Sequence, residues 1–160
     1  MEKRVEELGS RLEQLGRRWN SHLSRIADGM DELADRLAEL IPAGVVDEHE
    51  HEGLVWDRRG PSSNIGSYGP CFFYASSSYG QRVEYLISLP KERKAAGGFY
   101  LHGDFHAWVE IGTPQHFRAA AKVAPGFLQS LLQRLEKGGN EAEEAAGVIS
   151  ATLEALRATK

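Results

Sequence analysis

From Val5 to Leu40 the apolar residues fall three and four positions apart: Val5, Leu8, Leu12, Leu15, Trp19, Leu23, Ile26, Met30, Leu33, Leu37 and Leu40. A repeat near 3.5 residues puts all eleven on one stripe of an α-helix, and a strand, with its period of two, would scatter them over both faces. Such a helix needs a partner, either in self-association or in the chain's own terminal helices, because helix propensity alone does not hold a long segment whose large side chains stay in water. The alternation slips once, with two fours flanking Trp19 and Leu23 in succession, a stutter that unwinds a coiled coil locally without ending it. Glu7/Arg11, Glu13/Arg17 and Glu32/Arg36 set the acid four residues before the base, the favourable order for helical pairs.

Gly9, Gly16 and Gly29 act against the helix, each costing about 1 kcal/mol relative to alanine. Gly9 and Gly16 lie on one line beside the seam, where they either admit another backbone or are tolerated at the surface. Pro42 disfavours helical geometry in the residue before it and Gly44 follows, so the helix is expected to stop at Ile41. Trp19 is bulky for the centre of a tight two-stranded coil, which favours an antiparallel dimer or a bundle of more than two helices.

Beyond the helix the period changes. Residues 45–53, rich in acids and histidine, read as a connector, and residues 54–57 as a short strand before a loop rich in glycine, proline and serine over 58–70. Residues 71–76 and 82–89 are aromatic and β-branched, and the short Ser77-Ser-Tyr-Gly segment between them suits a hairpin. Residues 99–111 alternate: Phe99, Leu101, Phe105, Val109 and Ile111 share one face, expected to pack on a helix through Phe127, Leu128, Leu131 and Leu135. Gly103-Asp104 also suits a tight turn that would split this stretch in two. Thr113-Pro114 starts a helix as cap and first helical residue. Pro125-Gly126 is expected to kink or interrupt it, Gly138-Gly139 to end it, and Asn140 with Glu143 to open a final helix with Ala145, Val148, Ile149, Leu153 and Leu156 on its apolar face.

The expected fold class is therefore α+β: a long N-terminal coiled-coil helix (1–44), a small antiparallel sheet of three to five strands with a helix (45–139), and a C-terminal helix (140–160), the C-terminal helices packing on the sheet. A hydrophobic share of 41% and a charged share of 26% are those of a folded domain, not of a disordered chain. A formal charge of -4 with acids and bases interleaved leaves no broad basic face, which disfavours nucleic acid as a partner. Cys71 stands alone, so there is no disulfide framework or multi-cysteine zinc site, and the cytoplasm is the expected location. The charged opening MEKRVEEL lacks a signal-peptide core and no run is apolar enough to span a bilayer, so no membrane partner is expected.

Several groups could carry chemistry. His102, Asp104 and His106 project from one face of an unbroken strand and could hold a metal whose bound water serves hydrolysis; His49 and His51 could join them. Against that stands the plain pattern of polar residues on a half-exposed strand or turn. Cys71 could be a nucleophile, although a lone cysteine on a strand is far more often core. The loop 62–69 and the turn 76–80 offer amides and hydroxyls to a phosphate or nucleotide without any specific glycine motif. Arg58, Arg59 and the 91–94 cluster read as solvated loop charge, while Trp56, Tyr68, Tyr79, Tyr100 and Trp108 suit either a recognition surface or a core. The leading expectation is a non-catalytic, cofactor-free homo-oligomer, a dimer in the first instance, acting as an interaction or adaptor protein. A small metal-assisted hydrolase or nuclease is the alternative, and a small-ligand or nucleotide binder in the Gly/Ser loops the second.

Overall fold

The computed structural model describes residues 2–60, 62–63, 66–67, 69–78, 80–88 and 109–158. Helix α1 spans Glu2–Leu40, strands β1 to β7 are Glu48–His51, Leu54–Asp57, Ser62–Ser63, Gly66–Ser67, Cys71–Ser78, Gln81–Leu86 and Val109–Ile111, and helix α2 spans Pro114–Ala158. The class is α+β.

Strands β1, β2, β5 and β6 pair antiparallel in that spatial order, and β3 pairs with β4 in a separate ribbon. The fifth strand of the main sheet departs from the all-antiparallel expectation: β7 lies parallel to β6, with Tyr85 opposite Glu110. The connector expected at 45–53 contains a strand. In Glu48-His-Glu-His the histidines turn inward and the acids outward, and the tight turn after it is Glu52 (φ 47°) and Gly53 (φ 83°), the paired left-handed residues of a type I′ hairpin. Gly53 is required twice over, since a Cβ there would stand 3.0 Å from the Ala75 carbonyl, on the strand whose amide bonds back to Gly53 at 2.7 Å.

Helix α1 ends where Pro42 requires, and its last carbonyls have a partner. Arg58 donates to the carbonyl of Ala38 at 2.8 Å and also to that of Ile41, with Asp47 3.4 Å from its Nε and the Trp56 ring beneath it. A cation at a helix C-terminus meets both the orphan carbonyls and the negative end of the helix dipole. One turn earlier in the contact, Trp56 Nε1 donates to the carbonyl of Ala34 at 3.2 Å, and Ala34, fully buried, is small enough to let the indole approach.

At the start of α2 Thr113 caps the helix, and His116 Nδ1 accepts from the Thr113 amide at 3.0 Å, the reach-back that a capping box assigns to Glu or Gln. The expected break at Gly138-Gly139 is absent: α2 is one helix of 45 residues that also runs through Pro125. Ordinary glycine costs in a helix do not outweigh forty continuous neighbours. Gly126 has a local reason, because a Cβ there would lie 3.0 Å from His51 Nε2, so β1 leans on the helix at this point.

One core fills the space between the two helices and one face of the sheet, with Met30, Ala34 and Leu37 of α1, Leu54, Trp56 and Phe72 of the sheet, and Ala120, Phe127 and Leu131 of α2. Val55, Cys71, Phe73 and Leu86 are buried on the other face. Of the expected sheet-to-helix contacts, Phe127 and Leu131 are buried, but Ile111 is 50% exposed and Leu128 39%, so neither belongs to that core. The short β7 sits at the sheet edge, which is why its last residue faces water. Phe99, Leu101, Phe105 and the Gly103-Asp104 turn lie outside the described residues.

Candidate interaction surface

The seam of α1 is used in two ways. Met30 and Leu37 enter the core, and Leu23, Ile26 and Leu33 are partly buried. Val5, Leu8, Leu12, Leu15 and Trp19 are between 47% and 69% exposed, and Leu40, at the far end, is 70% exposed. Every residue from 2 to 22 is exposed. A single exposed leucine is ordinary, whereas a contiguous row of large apolar side chains on one stripe is a candidate interaction surface.

Helix α2 repeats the division. Phe127 and Leu131 are core residues, whereas every described residue from 136 to 158 is exposed, including Val148, Ile149, Leu153 and Leu156 at 47% to 62%. The two helices run side by side in the same direction. Arg118, early in α2, lies over the Trp19 ring at 5.4 Å, and Val45 and Val46, just past α1, border a shallow pocket with Leu135, Gly138 and Glu141. The exposed stretches, residues 2–22 and 136–158, therefore leave the body at opposite ends, about 31 and 34 Å long at 1.5 Å per residue. Along α1 Glu13 pairs with Arg17, and Arg36 pairs with Glu39 at 2.8 Å rather than with Glu32, all on the solvent side.

The candidate chemical groups are placed as follows. His102, Asp104 and His106 lie outside the described residues, as do Tyr68, Tyr79, Tyr100 and Trp108. His49 is a core histidine: its Nε2 is 3.1 Å from Ser130 Oγ, its ring meets Phe127 edge-on at 5.1 Å, and Nδ1 faces the Arg134 guanidinium at 3.4 Å. Burial, with the charge of Arg134 and the neighbouring His51 behind it, holds this imidazole below its ordinary value. The neutral ring fits its surroundings, with Nε2–H toward Ser130 and a lone pair toward Arg134. Among the described residues no group of three or more His, Cys, Asp and Glu side chains is arranged to hold a metal.

Cys71 is fully buried, and that burial, reinforced by the carboxylates of Asp57, Asp31 and Glu84, pushes its thiol well above its ordinary range. A thiol so disfavoured as thiolate is a packing residue, not a nucleophile. Trp56 likewise belongs to the core. Arg58, read from sequence as loop charge, is the latch on α1, a role visible only once β2 places it beside the helix end.

Two polar clusters flank the sheet. On the helix-covered side His116 stacks on Tyr85 at 3.8 Å with Tyr74 at 5.8 Å, all three half-buried. On the other side Arg82 bridges Glu50 at 3.1 Å and Glu84 at 3.2 Å. Burial raises the Glu84 carboxyl, Arg82 opposes it, and Glu48, Asp57 and Glu50 add to the rise. No described helix is long and apolar enough to cross a membrane. Comparison with known proteins found no matching family model, no matching curated protein and no matching solved structure.

Proposed function

We propose that this protein is an oligomeric interaction or adaptor protein, in which the exposed part of α1 joins subunits and the sheet domain presents a face to another protein. The observation that carries this reading is the row Val5, Leu8, Leu12, Leu15 and Trp19, five large apolar side chains exposed along one helical stripe. Water contact along such a row is removed most economically by a second helix. The half-buried aromatic group of Tyr74, Tyr85 and His116 supports a recognition face, because interfaces favour aromatic side chains that bury much area at little conformational cost.

Light scattering at micromolar concentration tests it. The expected mass is that of a dimer, the commonest closed oligomer. Removing residues 1–18, or changing Leu12 to Asp, is expected to give a monomer whose sheet domain unfolds at an unchanged temperature. A monomeric mass for the full chain would remove the reading.

A further inference from the structure

We infer that the partner covering the exposed part of α1 is the exposed C-terminal part of α2 from a second copy, packed antiparallel, and that the exchange is reciprocal. The inference rests on the self-association proposed above and specifies which surfaces meet.

The first ground is spacing. Read backwards from Leu156, α2 carries Leu153, Ile149, Ala146 and Ala142 at steps of three and four that match the seam of α1 read forwards. One antiparallel register sets Leu8 opposite Leu153, Leu12 opposite Ile149 and Trp19 opposite Ala142. The largest side chain of one row thus meets the smallest of the other, which removes the difficulty that Trp19 poses for a pair of identical strands.

Charge gives a second, independent ground. In the same register residues 14–23 of α1 face residues 138–147 of α2. The first segment holds Arg17 and Arg18 and no acid, and the second holds Glu141, Glu143 and Glu144 and no base. Pairing α1 with α1 would set these arginines against a segment of mixed sign that includes Lys3 and Arg4, and would leave the α2 row in water.

The glycines agree. Among the described residues, a Cβ added at Gly9, Gly16, Gly138, Gly139 or Gly147 would meet nothing within 4 Å, so described packing inside the subunit explains none of them. In the antiparallel register Gly16 stands opposite Ala145 and Gly9 opposite Thr152, where small residues let two helix backbones come close.

Geometry then decides between exchange and self-closure. The helices run in the same direction and their exposed parts leave the body at opposite ends, so one chain cannot bring its own two rows together. A second copy turned end over end presents its α2 row to the first copy's α1 and its α1 row to the first copy's α2. Two equivalent pairings related by a two-fold axis close the assembly, with no row left to recruit a third copy.

Paired cysteines test the register in the full chain. Leu12→Cys and Ile149→Cys are made separately, with buried Cys71 left in place. Mixed and oxidised, they are expected to give a disulfide dimer containing one chain of each kind, while each variant alone stays a single chain on a non-reducing gel. A Leu12→Cys dimer forming alone at a comparable rate would overturn the inference in favour of α1 meeting α1. A dimer by light scattering with no cross-link in the mixture would place the interface elsewhere and overturn it as well, leaving self-association standing. A monomer would overturn both.

Discussion

Trp19 and Met30 lie on the same seam of the same helix, yet Trp19 is 47% exposed and Met30 is 5%. The difference lies in what docks beside them. Met30 belongs to the buried cluster that also holds Ala34, Trp56 and Phe127, whereas Trp19 has the Arg118 guanidinium over its ring at 5.4 Å and stays outside that cluster. Identical patterning along a helix thus specifies a buried face without specifying which molecule buries it. The inner half of α1 is covered from within the chain, and the outer half is exposed.

The largest expected effect that would sharpen this contrast comes from truncating one side chain in each half of the structure. Phe127→Ala, at a fully buried position, should lower the unfolding free energy by about 3–5 kcal/mol, while Leu12→Ala, measured at a concentration low enough to keep the chain monomeric, should leave it nearly unchanged. Equal costs in urea titrations would mean that the outer half of α1 folds onto the body of its own chain.

A smaller effect is expected in pH. His49 stays neutral in the fold below its ordinary value of 6.5, so the unfolded chain takes up a proton more readily as pH falls through that value. The sign follows: stability is full above about pH 6.5 and declines below it, since the unfolded state then binds more protons. The slope of unfolding free energy between pH 7.5 and 5.5 should be shallower in His49→Gln than in the parent protein. Matching slopes would show that His49 is free to ionise in place.

The smallest effect concerns Gly16. Alanine there adds helix propensity worth about 1 kcal/mol and meets nothing among the described residues of its own chain, so the dilute monomer should gain helical content by circular dichroism. Self-association should weaken in the same variant, because the added methyl would stand in the proposed contact with a second copy's helix. A gain in both would leave Gly16 on the outer side of the assembly.

Much of this fold was legible because it is encoded locally. Pro42 and Gly44 mark the end of α1, Thr113-Pro114 the start of α2, and the aromatic runs the strands β5 and β6. Strand β1 was not, since Glu-His-Glu-His has neither apolar residues nor β-branching; it becomes a strand because Phe127 and Ser130 of a distant helix receive His49. The parallel pairing of β7 and the continuity of α2 through two glycines also depend on partners far away in the chain. For the interaction surface, the seam residues could be found by spacing alone, but the division between Trp19 and Leu23 required knowing where the sheet docks.

The shared direction of the two long helices has a mechanical consequence. Tension between residues 2 and 158 draws α1 one way and α2 the other, so the load runs along their common contact and strains its whole length together instead of opening it from one end. Phe127, Leu131, Met30 and Leu37 would then yield as a group. A body loaded in this manner resists until many contacts fail together, and its lifetime under force is set by the rate of that single event. Such loading shears the helix pair as a unit and does not open it as a hinge.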